Sequence, residues 1–113
     1  MKKVSLSECQ TIRFDNGFIQ TPLFGPETKP NEAVHFGFAE FEPDSRVPKS
    51  GTTFHDGDEF SYIISGSLSC WSKDGIQKLQ AGDCVYFPSG DEHYSFNDNT
   101  EPCKLIYMLV KTI

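Results

Sequence analysis

The sequence predicts an all-β fold, either a barrel or a sandwich. Short apolar or alternating runs are interrupted by turn-forming residues about every 8–12 residues, as is typical of such folds. The 113 residues include 10 Phe, 4 Tyr and 1 Trp, which favour strands around a packed core. No window of a dozen residues keeps a helical period free of Gly and Pro. We therefore expect a single β domain.

The N-terminal region, residues 1–32, is predicted to be an extended segment of the same domain as a barrel over residues 33–113. One short helical turn is expected near residues 6–10. Prolines fix φ and remove hydrogen-bond donors, which favours extended or irregular backbone that crosses the outside of a barrel or contacts a partner subunit. They lie at Pro22, Pro26 and Pro30.

Nine strands are predicted from the apolar runs. They cover residues 17–20, 33–41, 51–55, 59–65, 67–72, 76–80, 83–87, 93–97 and 103–111. The intervening turns contain pairs such as Asp74-Gly75 and Ala81-Gly82, whose residues tolerate positive φ or start turns. The strands should therefore pair largely in antiparallel fashion.

Charge and hydropathy exclude several function classes. The net charge is −6 and no Lys/Arg cluster is visible, which argues against a nucleic-acid partner. The longest apolar run, residues 105–110, is far shorter than the roughly 20 residues needed to span a bilayer, so no membrane association is expected. The first eight residues lack the apolar stretch of a signal peptide, which favours a cytoplasmic location.

The four cysteines show no Cys-x-x-Cys spacing, so neither a zinc ribbon nor a thioredoxin-type motif is supported. We expect free thiols, with Cys70 and Cys84 packed as small apolar side chains within strands.

The most informative spacing begins at Gly82 and reads Gly-x5-Pro-x-Gly-x2-His-x3-Asn. Its members are Gly82, Pro88, Gly90, His93 and Asn97. A strand, a turn and a second strand follow one another here, so the turn aims the imidazole of His93. Asn97 is expected to hold the strand end and the turn through side-chain-to-backbone hydrogen bonds.

An upstream stretch contains His55, Glu59 and Gly66, with three and six residues between them. Together the two stretches resemble the signature motifs of the cupin superfamily. The second motif is complete, while the first, Gly-x5-His-x-His-x3-Glu-x6-Gly, has Val47 and Thr53 in place of its leading glycine and first histidine. The resemblance implies a double-stranded β-helix (jelly-roll) barrel, and the 15 residues between the motifs suit a small, single-barrel cupin.

Strand parity brings the polar residues of the two motifs together, because alternate residues point to the same face. We expect His55, Glu59 and His93 to converge. Two imidazoles and a carboxylate form the minimal ligand set for a divalent metal such as Fe, Mn, Ni or Zn, with open positions for water or substrate. Thr53 would be a weak fourth ligand. The alternative for each histidine is a buried, hydrogen-bonded side chain.

Other polar residues are weighed against structural roles. His35 either lines the pocket or faces solvent. Asp56 and Asp58 are interpreted as a solvated turn, made possible by Gly57, rather than as a second metal site. Tyrosines on strands more often pack than act as an acid or base. The residues expected to bind a small-molecule ligand are Thr53, Ser61, Ile63 and Ser95.

Three function classes remain open, because the resemblance does not select an activity. One is a barrel that binds a small molecule without turnover. A second is a metal-dependent dioxygenase, isomerase or lyase acting on a small polar or anionic metabolite, and a third is a purely structural barrel. A homodimer is expected, because strands such as residues 105–110 are apolar on both faces and small cupins commonly dimerise.

Overall fold

The computed structural model describes residues 1–25 and 33–111, in which two antiparallel sheets are the main structure. The strands are β1 (Ile12–Arg13), β2 (Phe18–Phe24), β3 (Val34–Phe41), β4 (Arg46–Val47), β5 (Gly57–Ser65), β6 (Ser67–Ser72), β7 (Gly75–Gln80), β8 (Cys84–Phe87), β9 (His93–Phe96) and β10 (Cys103–Lys111). A 3₁₀ turn at Leu6–Glu8 lies where the helical turn was predicted. The all-β fold is confirmed. Within these described ranges, no helix is long and apolar enough to cross a membrane.

The larger sheet has the strand order β1-β2-β3-β10-β5-β8, and the smaller has β4-β9-β6-β7. Inward-facing residues of both sheets form the core, in keeping with the alternation expected for half-buried strands. Its buried members are Ala39, Phe41, Ile63, Leu68, Cys70, Leu79, Phe87, Cys103 and Leu105. The two sheets thus enclose one apolar interior, which continues into the cavity described below.

The N-terminal segment contributes two strands to the larger sheet. β2 is longer than predicted and runs through Pro22, which pairs with Gly37 of β3. Proline is tolerated here because β1 reaches only Ile19 and Gln20, leaving the opposite edge of Pro22 without a strand partner among the described residues. Pro26 and Pro30 lie outside the described residues.

The predicted strand over residues 51–55 is wrong. Only Thr53 pairs with β9, through an isolated bridge to His93. The edge of β9 is already occupied by β4, where Val47 pairs with Ser95. Residues 48–52 loop out between these two contacts, because Pro48 lacks an N–H donor and Gly51 adopts a φ of 69°.

The turn predicted at Gly57 is also wrong, since β5 already begins at this residue. A Cβ atom there would lie 2.5 Å from the Val110 carbonyl oxygen, so glycine is needed for close contact with β10. Asp58 is therefore a strand residue. Its Oδ1 accepts hydrogen bonds from Tyr86 Oη at 3.2 Å and from the Ser89 backbone N–H at 3.1 Å, which ties β5 to the turn after β8.

The four cysteines are free thiols, as expected. Cys70 is buried in the core, whereas Cys84 is exposed, so the expectation that Cys84 packs inside is wrong. Cys84 pairs with Tyr62, and both lie on the outer face of the larger sheet, away from the smaller sheet. Strand position alone did not reveal which face each thiol occupies.

Candidate metal centre

Three side chains from different parts of the chain meet at one end of the cavity, and we call His55, Glu59 and His93 the triad. Glu59 Oε1 lies 3.7 Å from His55 Nε2, and Glu59 Oε2 lies 3.2 Å from His93 Nε2. One ligand atom from each residue lies within 4.8 Å of the other two. Donors that share a metal at about 2.1 Å lie roughly 3–4 Å apart, so small side-chain rotations suffice to hold a divalent ion. The triad therefore fits such a metal.

His93 is the most firmly positioned member of the triad. It begins β9, is buried, and its ring stacks on Phe87 with the ring centres 4.0 Å apart. Its Nδ1 lies 2.9 Å from the backbone carbonyl oxygen of Asp91. Because a carbonyl only accepts hydrogen bonds, Nδ1 carries a proton, and Nε2, which faces Glu59, is the nitrogen that a metal would take in place of a proton.

His55 lies in the loop before β5, and that loop is tied to the turn of the second motif. The Gly90 backbone N–H donates to the His55 carbonyl oxygen at 2.9 Å. The His55 side chain is 36% exposed, compared with 22% for Glu59. Gly90 itself has a φ of 83°, which favours glycine. The turn that aims His93 therefore also fixes the backbone beneath the second imidazole.

Asn97 has the structural role predicted for it. The side chain is buried, and Nδ2 donates to the carbonyl oxygens of Phe41 at 3.0 Å and Glu101 at 2.8 Å. Its Oδ1 accepts the backbone N–H of Asn99 at 2.9 Å. These bonds confirm that Asn97 secures the end of β9 and the following turn.

The electrostatics of the triad favour a cation. Burial, the largest single influence, lowers the pKa of His93, but the hydrogen bonds to Glu59 and the Asp91 carbonyl and the negative charges of both acids outweigh it. The pKa of His93 is therefore raised above its ordinary value. Because a metal requires the unprotonated Nε2, protons compete with the metal increasingly as the pH falls through this raised pKa.

A cavity of about 320 Å³ extends from the triad between the two sheets. Of the residues predicted to bind a ligand, Thr53, Ser61 and Ser95 line it. Ile63 does not, because it points into the core and is fully buried. The Thr53 backbone exchanges two hydrogen bonds with that of His93, at 2.9 and 3.0 Å, so Thr53 lies directly beside the most buried imidazole.

Cys70 is a cavity residue that the sequence did not single out as functional. Its Sγ lies 3.3 Å from Ser95 Oγ. Burial raises the pKa of the Cys70 thiol to about 11, only partly opposed by the Ser95 hydrogen bond. The thiol is thus protonated at neutral pH and serves as a small, weakly polar wall rather than as a nucleophile.

His35, whose position the sequence left open, lines the far side of the cavity. Tyr107 lines it as well, with its ring packed over Gly37 and its Oη accepting a hydrogen bond from Gln20 Nε2 at 2.8 Å. Burial raises the pKa of Tyr107, so its hydroxyl is protonated. Tyr62 lies on the outer face of the sheet, with half of its surface exposed, and cannot act in the cavity.

Comparison with known proteins identifies the family. The family model described as "Cupin domain" matches residues 37–109, which is more than half of the chain. The chain belongs to the cupin family. The matched range spans both cupin motifs, including the substituted positions Val47 and Thr53, and the observed jelly-roll topology agrees with the match.

Solved structures of other cupin-fold proteins superpose closely on this chain. A predicted oxalate decarboxylase from Thermotoga maritima has a TM-score of 0.84 at 23% identity, with 98% of this chain and 100% of the other covered. The polyketide cyclase RemF from Streptomyces resistomycificus has a TM-score of 0.82 at 16% identity, with 99% and 80% covered. A sugar phosphate isomerase from Silicibacter pomeroyi has a TM-score of 0.76 at 18% identity, with 98% and 76% covered. At these identities the likeness shows the fold alone, and no curated protein sequence matches the chain.

Proposed function

We propose that this cupin binds a small molecule inside its barrel through a divalent metal held by the triad. The observation that carries this proposal is the convergence of two imidazoles and one carboxylate, with donor atoms within 4.8 Å, at the end of a cavity of about 320 Å³. A volume of this order suits a small metabolite. The ligand-facing residues are proposed to be Thr53, Ser61 and Ser95.

Each residue of the triad has a distinct role in holding such an ion. Glu59 supplies the negative charge and directs one oxygen to each imidazole. Phe87 and the Asp91 carbonyl fix the ring of His93. A metal held by three protein ligands offers Lewis-acid chemistry or oxygen binding at its open positions. Iron, manganese, nickel and zinc all accept this donor set.

A metal-dependent enzyme of the dioxygenase, isomerase or lyase type is the second candidate. The three-ligand set favours it, because catalytic metal sites keep open positions whereas structural sites are closed. Several similar structures are named as enzymes, including a cyclase and an isomerase. Within the described residues, however, the buried Cys70 and Tyr107 groups are both protonated, so neither of these two acts as a general base.

Binding and turnover can be separated with Mn²⁺ as the probe. We expect Mn²⁺-loaded protein to show enhanced water proton relaxation that falls when a small hydroxy- or oxo-acid displaces bound water. The same acids are then incubated with Fe²⁺-loaded protein in an oxygen electrode and analysed by NMR. Relaxation changes without oxygen uptake or new products would support the binding protein. Oxygen uptake, or new products in the NMR spectrum, would support the enzyme. Absence of Mn²⁺ enhancement would contradict the metal site.

We also propose that the outer face of the larger sheet binds a second copy of this chain. Two adjacent cross-strand rows on this face carry no charged residue, and the ring centres of Phe60 and Tyr86 stack 5.0 Å apart within one of them. Tyr62 and Ile64 expose 50% and 44% of their surface. The rows are Phe38, Ile106, Tyr62 and Cys84, and Phe36, Met108, Phe60 and Tyr86. An apolar surface of this kind suits a self-complementary contact.

Replacing Tyr62 with glutamate should convert the dimer into a monomer, because an unpaired charge would be buried at the contact. Light scattering after size exclusion should give about twice the 12.7 kDa chain mass for the native protein and the chain mass for the variant. Ile76→Glu is the matched control, since Ile76 is 59% exposed on the smaller sheet. A native protein that elutes as a 12.7 kDa species at micromolar concentration would contradict the dimer.

A further inference from the structure

The end of the cavity opposite the triad contains a polar atom without a partner. His35 Nε2 exposes less than 1 Å² to solvent and makes no hydrogen bond to any described residue. Buried polar groups are nearly always paired, so an orphaned imidazole nitrogen requires an explanation. Rotation of a ring about its Cβ–Cγ bond is soft, which allows Nε2 to turn toward a group seated in the cavity.

The strand register fixes where His35 lies relative to the triad. His35 pairs with Leu109, and Leu109 pairs with Glu59, so the three side chains form one row across β3, β10 and β5 on the inner face. Adjacent strands are about 4.8 Å apart, so the backbones of His35 and Glu59 are separated by about 10 Å. The side chains along this row are polar, apolar and polar in turn. A ligand that spans the row therefore needs a polar group at each end and an apolar middle.

Tyr107 provides a second donor in the neighbouring row. That row runs from Gly37 through Tyr107 to Ser61, and the absence of a side chain at Gly37 lets the tyrosine ring lie across it toward β2. Gln20 Nε2 donates to Tyr107 Oη, so the phenolic proton is free to be donated elsewhere. Both groups therefore lie on the same side of the cavity, Tyr107 as a donor and His35 Nε2 as a donor in the tautomer that carries its proton there.

Charge restricts the ligand further. Among the described residues that line the cavity, Glu59 is the only acidic one and none is Lys or Arg. A divalent cation on Glu59 leaves one positive charge, which a single carboxylate neutralises. A second carboxylate at the far end would bury an uncompensated charge. The far group is therefore an uncharged oxygen acceptor.

We propose that His35 and Tyr107 form a recognition subsite for the uncharged carbonyl or hydroxyl oxygen of a short monocarboxylic acid whose carboxylate faces the triad. Such a ligand has an apolar middle of a few carbons, which crosses Leu109. This inference rests on the proposed metal-dependent binding function and assigns its ligand class. It also gives the orphaned His35 nitrogen a partner.

The test compares matched acids on Mn²⁺-loaded protein by calorimetry. The probes are 4-oxopentanoate, 5-oxohexanoate and 6-oxoheptanoate, each beside the saturated acid of the same chain length, with glutarate as the doubly charged analogue. We expect at least one oxo acid to bind about three- to tenfold more tightly than its saturated partner, the range expected for a buried neutral hydrogen bond. His35→Leu and Tyr107→Phe should each reduce this preference, while Mn²⁺ affinity stays unchanged. Tyr62→Phe, which removes a hydroxyl outside the cavity, should keep it.

A stability readout separates recognition from a structural role. His35→Leu should leave the melting temperature unchanged or raise it, because Nε2 has no hydrogen bond to lose. His35→Gln should retain part of the oxo-acid preference. Equal affinity for oxo and saturated acids, a preference that survives both variants, or tightest binding of glutarate would each overturn the subsite while leaving the metal site standing. Failure to bind Mn²⁺ would overturn the metal site and the subsite together.

Discussion

Replacing His93 with alanine is expected to remove nearly all divalent metal from the protein. Its Nε2 lies 3.2 Å from Glu59 Oε2, and its proton is held on Nδ1 by the Asp91 carbonyl, so the lone pair available to a metal points into the triad. Changes to residues that merely orient a ligand already weaken metal binding about 10–100-fold. Loss of the ligand itself should therefore weaken it by at least about 100-fold. The measurement is elemental analysis of untagged protein purified without chelators, with Mn²⁺ titration giving the affinity.

Two further variants make the His93 result specific. His35→Ala changes the same residue type in the same cavity but outside the triad, and should retain the metal. Glu59→Gln removes the negative charge at nearly constant size. It therefore tests the triad without the empty space that His93→Ala leaves beside Phe87. Metal that persists in His93→Ala and Glu59→Gln, or that disappears in His35→Ala, would show that the triad is not the metal site.

Local chemistry explains why the sequence predicted much of this site. Gly82 and Gly90 both adopt positive φ, at 94° and 83°, a conformation that favours glycine. The positions of these glycines in the sequence therefore indicate where two backbone turns lie. With the turns fixed, His93 falls at the first residue of β9. Asn97 then ends the strand through bonds to nearby backbone. The turns and the Asn97 bonds to Glu101 and Asn99 join residues that are close in the chain, whereas the Asn97 bond to the Phe41 carbonyl oxygen does not.

Features that depend on distant pairing were missed. The strand predicted over residues 51–55 does not form, because β4 pairs with this edge of β9 and leaves Thr53 only an isolated bridge to His93. No local pattern near Thr53 indicates that pairing. Gly57 was interpreted as a turn glycine, but its small size serves the contact with Val110 in β10. The apolar alternation did not show which face of β8 is outward, and Cys84 was therefore placed inside.

The far end of the cavity illustrates the same limit. Tyr107 lies over Gly37 and bonds to Gln20, and all three come from separate strands. His35 reaches the row of Glu59 only because β10 lies between β3 and β5. A glycine in the middle of an aromatic strand was the one sequence signal of this arrangement, since such a glycine often marks the close approach of another group.

Replacing Thr53 with histidine should strengthen metal binding, because it places a third imidazole beside the triad. Thr53 lines the cavity, and its backbone pairs with that of His93 through two hydrogen bonds of 2.9 and 3.0 Å. Side chains on directly opposed residues of an antiparallel pair lie about 4.5–5.5 Å apart at Cβ, which is within reach of a shared metal. A neutral hydroxyl is a poor ligand, whereas imidazole binds Fe, Ni and Zn well.

We expect Thr53→His to raise Mn²⁺ or Zn²⁺ affinity by about tenfold or more, since one good ligand replaces water in the coordination shell. Thr53→Val is the matched control, because it keeps the branched shape without a donor and should leave affinity nearly unchanged. If Thr53→His binds no more tightly than the native protein, its side chain does not face the ion. If Thr53→Val loses the metal, the hydroxyl itself is a ligand, and the native site has four protein donors rather than three. The first outcome would also remove Thr53 from the proposed ligand-facing residues, because a ligand on the metal must approach from the open side of the triad.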